Sequence, residues 1–328
     1  MNCLWLVIPC YNEEEILHET ASQLHVVMKN LMAKHKIAHS SRIAFVNDGS
    51  KDHTWQMIKA LTEKDALFVG VNLARNRGHQ NALLAGLTIA KNHADSVISM
   101  DADLQDDVGV VEKFVDAYAA GNDIVYGVRA SRKTDTFFKR FTAESFYKVM
   151  RFLGVEVVFN HADYRLMSKR ALEGLMQFGE VNLFLRGIVP QIGYPYTTVA
   201  YERHERIAGE SKYPLKKMIA FALEGITSFT IKPLRIATLL GGIAFLVSIG
   251  MLIYCLAVRF MGDTVSGWTS LSVSIWALGG LQLLMLGIVG EYIGKIYLET
   301  KHRPKYIIES IVYHEESQNI EKNMKGEH

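Results

Sequence analysis

Asp101, Asp103, Gln105 and Asp106 follow directly on an apolar run, Ser96-Val97-Ile98-Ser99-Met100. The run reads as a buried strand that delivers carboxylates to its C-terminal tip. On an extended chain, residues two apart point the same way, so Asp101 and Asp103 can share one small target. Two facing carboxylates repel, and a hard divalent cation relieves the repulsion. Magnesium in particular is held by one or two carboxylates together with substrate phosphates. The chemistry this spacing suggests is a metal–diphosphate site. The bare Asp-x-Asp pattern also suits surface turns, and Asp106 or Asp107 suits the start of a helix near Val108, where acidic side chains complement the helix dipole.

The elements that must position this cluster are legible upstream. Apolar runs at residues 4–8, 42–46, 68–73, 96–100 and 123–126 alternate with helical patterns at 14–33, 54–63, 80–92 and 110–119. This rhythm predicts an α/β fold, a mostly parallel sheet with helices on both faces. In such sheets ligands bind beyond the C-terminal strand ends. The first strand leads into Pro9, Tyr11, Asn12 and Glu13, and the second into Asn47-Asp48-Gly49-Ser50 with Asp52 close behind. The fourth ends in the Asp101 cluster, with Ala102 inside it. Each strand end alone reads as a turn or a helix cap; their convergence on one edge is the arrangement of a nucleotide site. Tyr11 is placed to stack on a base and Asp48 to accept from a ring N–H. Arg75-Asn76-Arg77-Gly78-His79 brings basic groups to the same edge, and reads equally as a helix-entry turn. No Gly-x-Gly-x-x-Gly or Walker-type loop occurs, which argues against a dinucleotide or P-loop site.

Charge is nearly balanced, with a formal net of +2 over 328 residues, so a global basic footprint for nucleic acid is absent. Cys3, Cys10 and Cys255 are scattered and suit reduced thiols better than a disulfide framework. The histidines show no zinc spacing. The opening apolar run stops at Pro9 and runs into Glu13-Glu14-Glu15, unlike a secretory signal.

Residues 236–258 carry no ionisable side chain except Tyr254 and Cys255, and residues 269–290 carry no charge. At about 1.5 Å per residue each covers roughly 33 Å as a helix, enough to cross a hydrocarbon core. Lys216, Lys217, Lys232 and Arg235 precede the first span, and Lys295, Lys301, Arg303 and Lys305 follow the second, whereas the loop between them has only Arg259. The positive-inside rule then places both flanks, and with them both termini, in the cytoplasm. Residues 214–233 are apolar with basic ends and read as an amphipathic interfacial helix or a helix packed under the catalytic domain. The expected organisation is a catalytic domain at 1–213, the juxtamembrane segment at 214–233, a two-helix hairpin at 234–298 and a cytosolic tail at 299–328, disordered from residue 315.

Three motifs, Pro9-x-Tyr11-Asn12-Glu13, Asn47-Asp48-Gly49-Ser50-x-Asp52 and Asp101-Ala102-Asp103-Leu104-Gln105, occur in the order found in GT-A family 2 glycosyltransferases. Asp163-Tyr164-Arg165-Leu166 resembles a segment of the polyprenyl-phosphate glycosyltransferases, and Arg206-x-x-Gly209-x-Ser211-Lys212-Tyr213 resembles their loop ahead of the membrane helices. To about residue 310 the chain resembles the bacterial bactoprenol glucosyltransferase branch, whose catalytic domain is related to dolichol-phosphate mannose synthases.

The resemblance implies a GT-A Rossmann-like domain in a multi-pass protein of the bacterial inner membrane. It implies inverting transfer of a hexose from a UDP-sugar to undecaprenyl phosphate, with Mg2+ or Mn2+. Glucose is the expected sugar; mannose, N-acetylglucosamine and an aminoarabinose derivative are the alternatives. By resemblance Asp103 and Gln105 ligate the metal, with Asp101 beside them toward the metal or the ribose. The nucleotide side comprises Pro9, Tyr11, Asn12, Glu13, Asp48, Asp101, Ala102 and Asp103. The acceptor is itself an anion and needs cationic support, for which Arg129, Arg140, Arg206 and Lys212 are candidates. Arg132, Lys133 and Lys139 read equally as solvated charges. Asp163 matches the family's proposed base, yet a phosphate monoester with a second pKa of about 6 scarcely needs one. Asp163 therefore also reads as a group that orients sugar hydroxyls or a basic partner, or as an ion pair with Arg165. A processive polysaccharide synthase would need more spans and a Gln-x-x-Arg-Trp motif. A non-catalytic scaffold or translocator would not need the Asp101–Gln105 cluster. The glycine-bearing spans and the family point to a homo-oligomer, a tetramer being one such form.

Overall fold

The computed structural model of the chain describes residues 1–129, 161–180, 185–202, 227, 230–260 and 267–314. They fall into two compact units. One takes Met1–Lys148, Glu156–Tyr213 and Pro304–His328; the other takes Val149–Val155 and Pro214–Arg303.

In the first unit, β1 (Leu4–Cys10), β2 (Arg42–Asn47), β3 (Phe68–Leu73) and β4 (Ser96–Ser99) form where the apolar runs predict them. β1 pairs in parallel with both β2 and β4, and β2 in parallel with β3. Central parallel strands are covered on both faces, which is why these runs are continuously apolar rather than alternating. Helices α1 (Leu17–Ala33), α2 (Thr54–Lys64), α3 (His79–Ala90) and α4 (Val111–Ala119) return the chain between strands, and a 3-10 turn, Val108–Val110, leads into α4. Helix α3 lies directly on the sheet. A Cβ on its Gly86 would stand 2.4 Å from a Val7 methyl and 2.7 Å from a Val46 methyl, so only glycine permits this approach. Leu6, Ile8, Phe45, Ile98, Phe114 and Tyr164 belong to one continuous buried core. Each fully buried aliphatic or Phe side chain of this kind contributes about 1.5–3 kcal/mol.

Further strands widen the sheet: β5 (Ile124–Arg129), β6 (His161–Ser168) and β7 (Tyr196–Tyr201) on one side, and β8 (Ile308–Val312) on the other. Helices α5 (Lys169–Leu175) and α6 (Leu185–Gln191) follow β6. The strand order is β7-β5-β6-β4-β1-β2-β3-β8. β6 is antiparallel to β4 and β5, and β8 is antiparallel to β3. The mostly parallel, Rossmann-like GT-A arrangement is therefore present. The boundary expected at residue 299 is displaced, because the chain beyond the hairpin supplies an edge strand to the catalytic sheet instead of a free tail. Residues 315–328 lie outside the described residues.

The second unit contains α7 (Lys232–Phe260) and α8 (Trp268–Thr300), which pack against each other. Both exceed the expected spans, and the last turns of α8 add Glu291, Lys295 and Glu299. Their most apolar stretches, Lys232–Met251 and Ala277–Thr300, are 6% and 0% buried. Phe245, Leu246 and Leu286 are among the large side chains left exposed. A core helix of a soluble domain buries such a surface. An apolar helix pair that leaves it open is suited to lipid. The expected juxtamembrane helix falls largely outside the described residues.

Candidate active site

The parallel register sets the C-terminal ends of β1 to β4 on one edge, and side chains stitch the following loops together. Asn12, at φ 56°, donates its N–H to Ser50 Oγ at 3.0 Å, and its Oδ1 accepts from Lys51 N at 2.9 Å. Glu13 N donates to Thr54 Oγ1 at 2.9 Å. Gly49 has φ +65°, and a Cβ there would lie 2.5 Å from Asn76 N, so the loop after β2 rests directly on the backbone after β3. Asp48 accepts from Arg77 N at 2.7 Å and Gly78 N at 2.9 Å. Burial raises its pKa, and these two amides oppose the rise. Both Asp48 oxygens thus already fix the turn into α3, and any ring N–H would be an additional donor. Pro9 lies within β1 opposite Val46, and Tyr11 stands beyond the strand, 42% exposed.

On the other side of β1, β4 and β6 bring two carboxylates together. Ser99 pairs with Arg165, and this register continued past the end of β4 sets Asp163 across from Asp101. Ser99 Oγ donates to the Asp163 carbonyl at 2.6 Å. His79, the first residue of α3, places Nε2 3.5 Å from Asp101 Oδ1 and 4.0 Å from Asp163 Oδ2. Arg165 Nη2 lies 2.7 Å from Asp163 Oδ1, and Arg186 Nη2, from α6, lies 3.0 Å from Asp163 Oδ2. Burial alone would raise the pKa of Asp163, but Arg186 and Arg165 overcome it and hold the carboxyl well below the usual range. Asp101 moves the opposite way. Burial pushes its pKa up, His79 opposes, and the charges of Asp163 and Asp103 add to the rise.

The carboxylate run forms a tight turn. Gln105 N donates to Asp103 Oδ1 at 3.2 Å across Leu104, which has φ 53°, and the Ala102 carbonyl accepts from Thr20 Oγ1 of α1 at 2.7 Å. Among the described residues no three His, Cys, Asp or Glu side chains form a complete cation cage. Two carboxylates and the Gln105 carbonyl suit a cation that shares its coordination with phosphate oxygens, and an Asp101 strained by like charge is a donor such a cation would relieve.

Asp106 departs from the expectation that it starts the helix. It is buried and accepts from the Tyr201 hydroxyl at 2.6 Å. Asp107 is the residue that caps, accepting from Gly109 N at 2.8 Å. Burial and Asp106 raise the Tyr201 pKa, while Arg129 opposes them, so Arg129 belongs to this cluster at the end of β5. Arg140, Arg206 and Lys212 lie outside the described residues, as do Arg132, Lys133 and Lys139. Sequence reasoning missed Arg186, which no motif marks; it brought the stretch ending in His79 to this edge or to a helix-entry turn, and did not connect His79 with Asp101 and Asp163.

Residues 5–176 match Glycosyl transferase family 2, and residues 232–296 match the GtrB C-terminal hairpin. An uncharacterized glycosyltransferase of Bacillus subtilis (strain 168) is 52% identical, covering 98% of this chain and 96% of its own length. The bactoprenol glucosyl transferase of Shigella phage SfV is 42% identical over 93% of this chain and 97% of its own. A prophage bactoprenol glucosyl transferase homolog of Escherichia coli (strain K12) is 40% identical over 93% and 98%. Among solved structures, glucosyl-3-phosphoglycerate synthase from Mycobacterium tuberculosis aligns at 15% identity with a TM-score of 0.44, covering 69% of this chain and 78% of that one. With strand ends, carboxylate turn and hairpin in place, and a family match over more than half its length, the chain belongs to glycosyl transferase family 2 and is a membrane-associated glycosyltransferase with a GtrB-type hairpin.

Proposed function

We propose that the protein transfers glucose from UDP-glucose to undecaprenyl phosphate at the cytoplasmic membrane face, with inversion to a β-linked lipid phosphosugar. The observation that carries this reading is one chain holding the Asp101–Asp163 pair at a sheet edge and an exposed apolar hairpin. The relatives named as bactoprenol glucosyl transferases, matched over nearly their whole length, support the lipid acceptor and the sugar.

A divalent cation, Mg2+ or Mn2+, held by Asp103, Gln105 and Asp101, would supply charge neutralisation as the diphosphate leaves. The nucleotide side falls to the stitched loops after β1 and β2, with Tyr11 against the base. Asp163, kept ionised by two arginines, is poorly suited to take a proton. An incoming phosphate monoester, with a second pKa near 6, hardly needs to give one up. Asp163 instead fixes Arg186 and orients hydroxyl groups of the donor sugar. Arg129 and Arg186 supply positive charge to the phosphates.

The chain leaves the first unit before α7 and returns to its sheet as β8 after α8. Two crossings bring a chain back to the side it left, which supports a hairpin with the catalytic unit on one face. The basic flanks support the cytoplasm as that face. The test is an extraction assay. Purified full-length protein with labelled UDP-glucose, Mg2+ and undecaprenyl phosphate should put label into butanol. Failure to label the lipid with UDP-glucose, UDP-N-acetylglucosamine or GDP-mannose would sink the reading.

A further inference from the structure

Strand β8 reaches β3 after the whole hairpin has intervened, and its pairing is irregular at one point. Gly70, Val71 and Asn72 face Val312, Ile311 and Ser310 in turn, but Leu73 faces Ile308, so Glu309 is an extra residue in the ladder. Such bulges bend a strand and re-aim a side chain. Here the bulge directs Glu309 onto Asn72, whose Nδ2 donates to Glu309 Oε2 at 2.6 Å. Asn72 Oδ1 accepts from Asn47 Nδ2 at 2.6 Å, and Asn47 Oδ1 accepts from Ser50 N at 3.2 Å. Ser50 Oγ in turn receives the Asn12 N–H at 3.0 Å. Asn47 and Asn72 are buried.

The chemistry at the two ends fixes the direction of this relay. A backbone N–H only donates and an ionised carboxylate only accepts, whereas an amide can face either way. With Ser50 N–H at one end and Glu309 at the other, the two amides have a single arrangement that satisfies every bond. A side chain that donates at position 309 would set donors at both ends, and one buried amide would lose a partner.

We propose that Glu309, on the strand that returns from the hairpin, is a positioning residue for the nucleotide side of the site. It acts through Asn72 and Asn47 on the loop at 47–52 and, through Ser50, on Asn12. This rests on the reading that those loops receive the UDP moiety of the donor. Glu309 itself touches no substrate; it sets which face each buried amide presents.

The test uses the full chain in detergent, with UDP as the probe for binding and UDP-glucose for kinetics. Glu309→Lys should raise the UDP Kd and the donor KM by about three- to tenfold, the scale of one hydrogen bond to a partly screened charged acceptor. Its kcat and acceptor KM should stay within about twofold of the parent, since no reacting group moves. Glu309→Gln, which still offers an oxygen, should behave as the parent. Adding Asn72→Asp to Glu309→Lys should restore donor affinity, because a carboxylate at position 72 accepts from both sides. If Glu309→Lys does not fold, Glu309→Met removes the acceptor without adding a donor and should show the same direction. Parent-like UDP affinity in Glu309→Lys, equal loss in Glu309→Gln, or no recovery in the double variant would each overturn the proposal. A parent chain that binds neither UDP nor UDP-glucose would overturn the donor reading and this inference with it.

Discussion

Arg186 spans the Asp163 carboxylate, with Nη2 3.0 Å from Oδ2 and Nε 3.4 Å from Oδ1, while Arg165 Nη2 holds Oδ1 at 2.7 Å. Arg165 is almost wholly enclosed, with a side chain 1% exposed against 11% for Asp163. Removing the negative partner strands that guanidinium. Asp163→Asn is expected to destabilise the fold by about 3–5 kcal/mol, the cost of breaking one side of a buried pair. Denaturant unfolding of the full chain checks this; an unchanged midpoint would mean that Arg165 is neutralised by another group.

Arg186 is the more exposed partner, and Asp163 keeps Arg165 without it. Arg186→Met should therefore lower the melting temperature less than Asp163→Asn does. Under the proposed reaction it should lower kcat by about 10²-fold, as for loss of a group that stabilises transition-state charge. Parallel melts and turnover measurements separate the two effects. Parent-like turnover would remove Arg186 from the phosphate path.

The difference between what was legible and what was not follows from where the information lies in the chain. β1 to β4 are buried on both faces, so each prints a continuous apolar run, and the carboxylate turn follows one of them. β6 reads His-Ala-Asp-Tyr-Arg-Leu-Met-Ser, and its charges break the apolar run that marks the other strands, so the motif and its Asp163–Arg165 ion pair are legible but the strand that buries them is not. β8 is five residues long and pairs with a strand on the far side of the hairpin, so no local pattern announces it. Asp106 reads like Asp107 as a helix-start residue because its partner, Tyr201, is 95 residues away.

Divalent cation dependence is expected to show in stability as well as turnover. The Asp101 carboxyl has its pKa raised by burial and then by Asp163 and Asp103, against the pull of His79. A raised acid pKa means the fold disfavours the ionised form. Without metal, stability should fall as pH rises from the unfolded value of about 3.9 through the folded one. Asp101→Asn should thus lose no stability at pH 7 without metal. It should lose the rise in melting temperature that Mn2+ with UDP gives the parent. EDTA should stop transfer and excess Mg2+ or Mn2+ restore it, whereas Asp103→Ala should stay inactive throughout. Full activity of Asp103→Ala would remove the metal assignment.

Asp123 gives the opposite sign of pH dependence. Its carboxylate accepts from Arg170, and burial is outweighed by that ion pair and by the Ser168 hydroxyl at 2.8 Å, so its pKa is lowered. A depressed carboxylate pKa adds stability above the unfolded value of about 3.9, and that contribution is lost as pH falls through the folded pKa. Asp123→Asn should melt below the parent at pH 7, and the two should converge as pH drops toward about 2–3. A gap that persists in acid would assign the loss to packing around Ser168 instead of to charge.

The return of the chain to its own sheet makes the sidedness of the hairpin testable at single positions. β8 must share a compartment with β3, because the strands exchange backbone hydrogen bonds from Gly70 to Leu73. If α7 and α8 both cross the bilayer, a cysteine placed between them must lie on the opposite side from one placed after β8. In sealed vesicles of a Cys-free variant, Gly262→Cys and His314→Cys should therefore react with an impermeant maleimide in opposite vesicle orientations. In cytoplasmic-face-out vesicles His314→Cys should label and Gly262→Cys should not. Labelling of both from the same side would mean that the hairpin dips into one leaflet without crossing. The apolar exposure of α7 and α8 would then have to be explained by association within that leaflet.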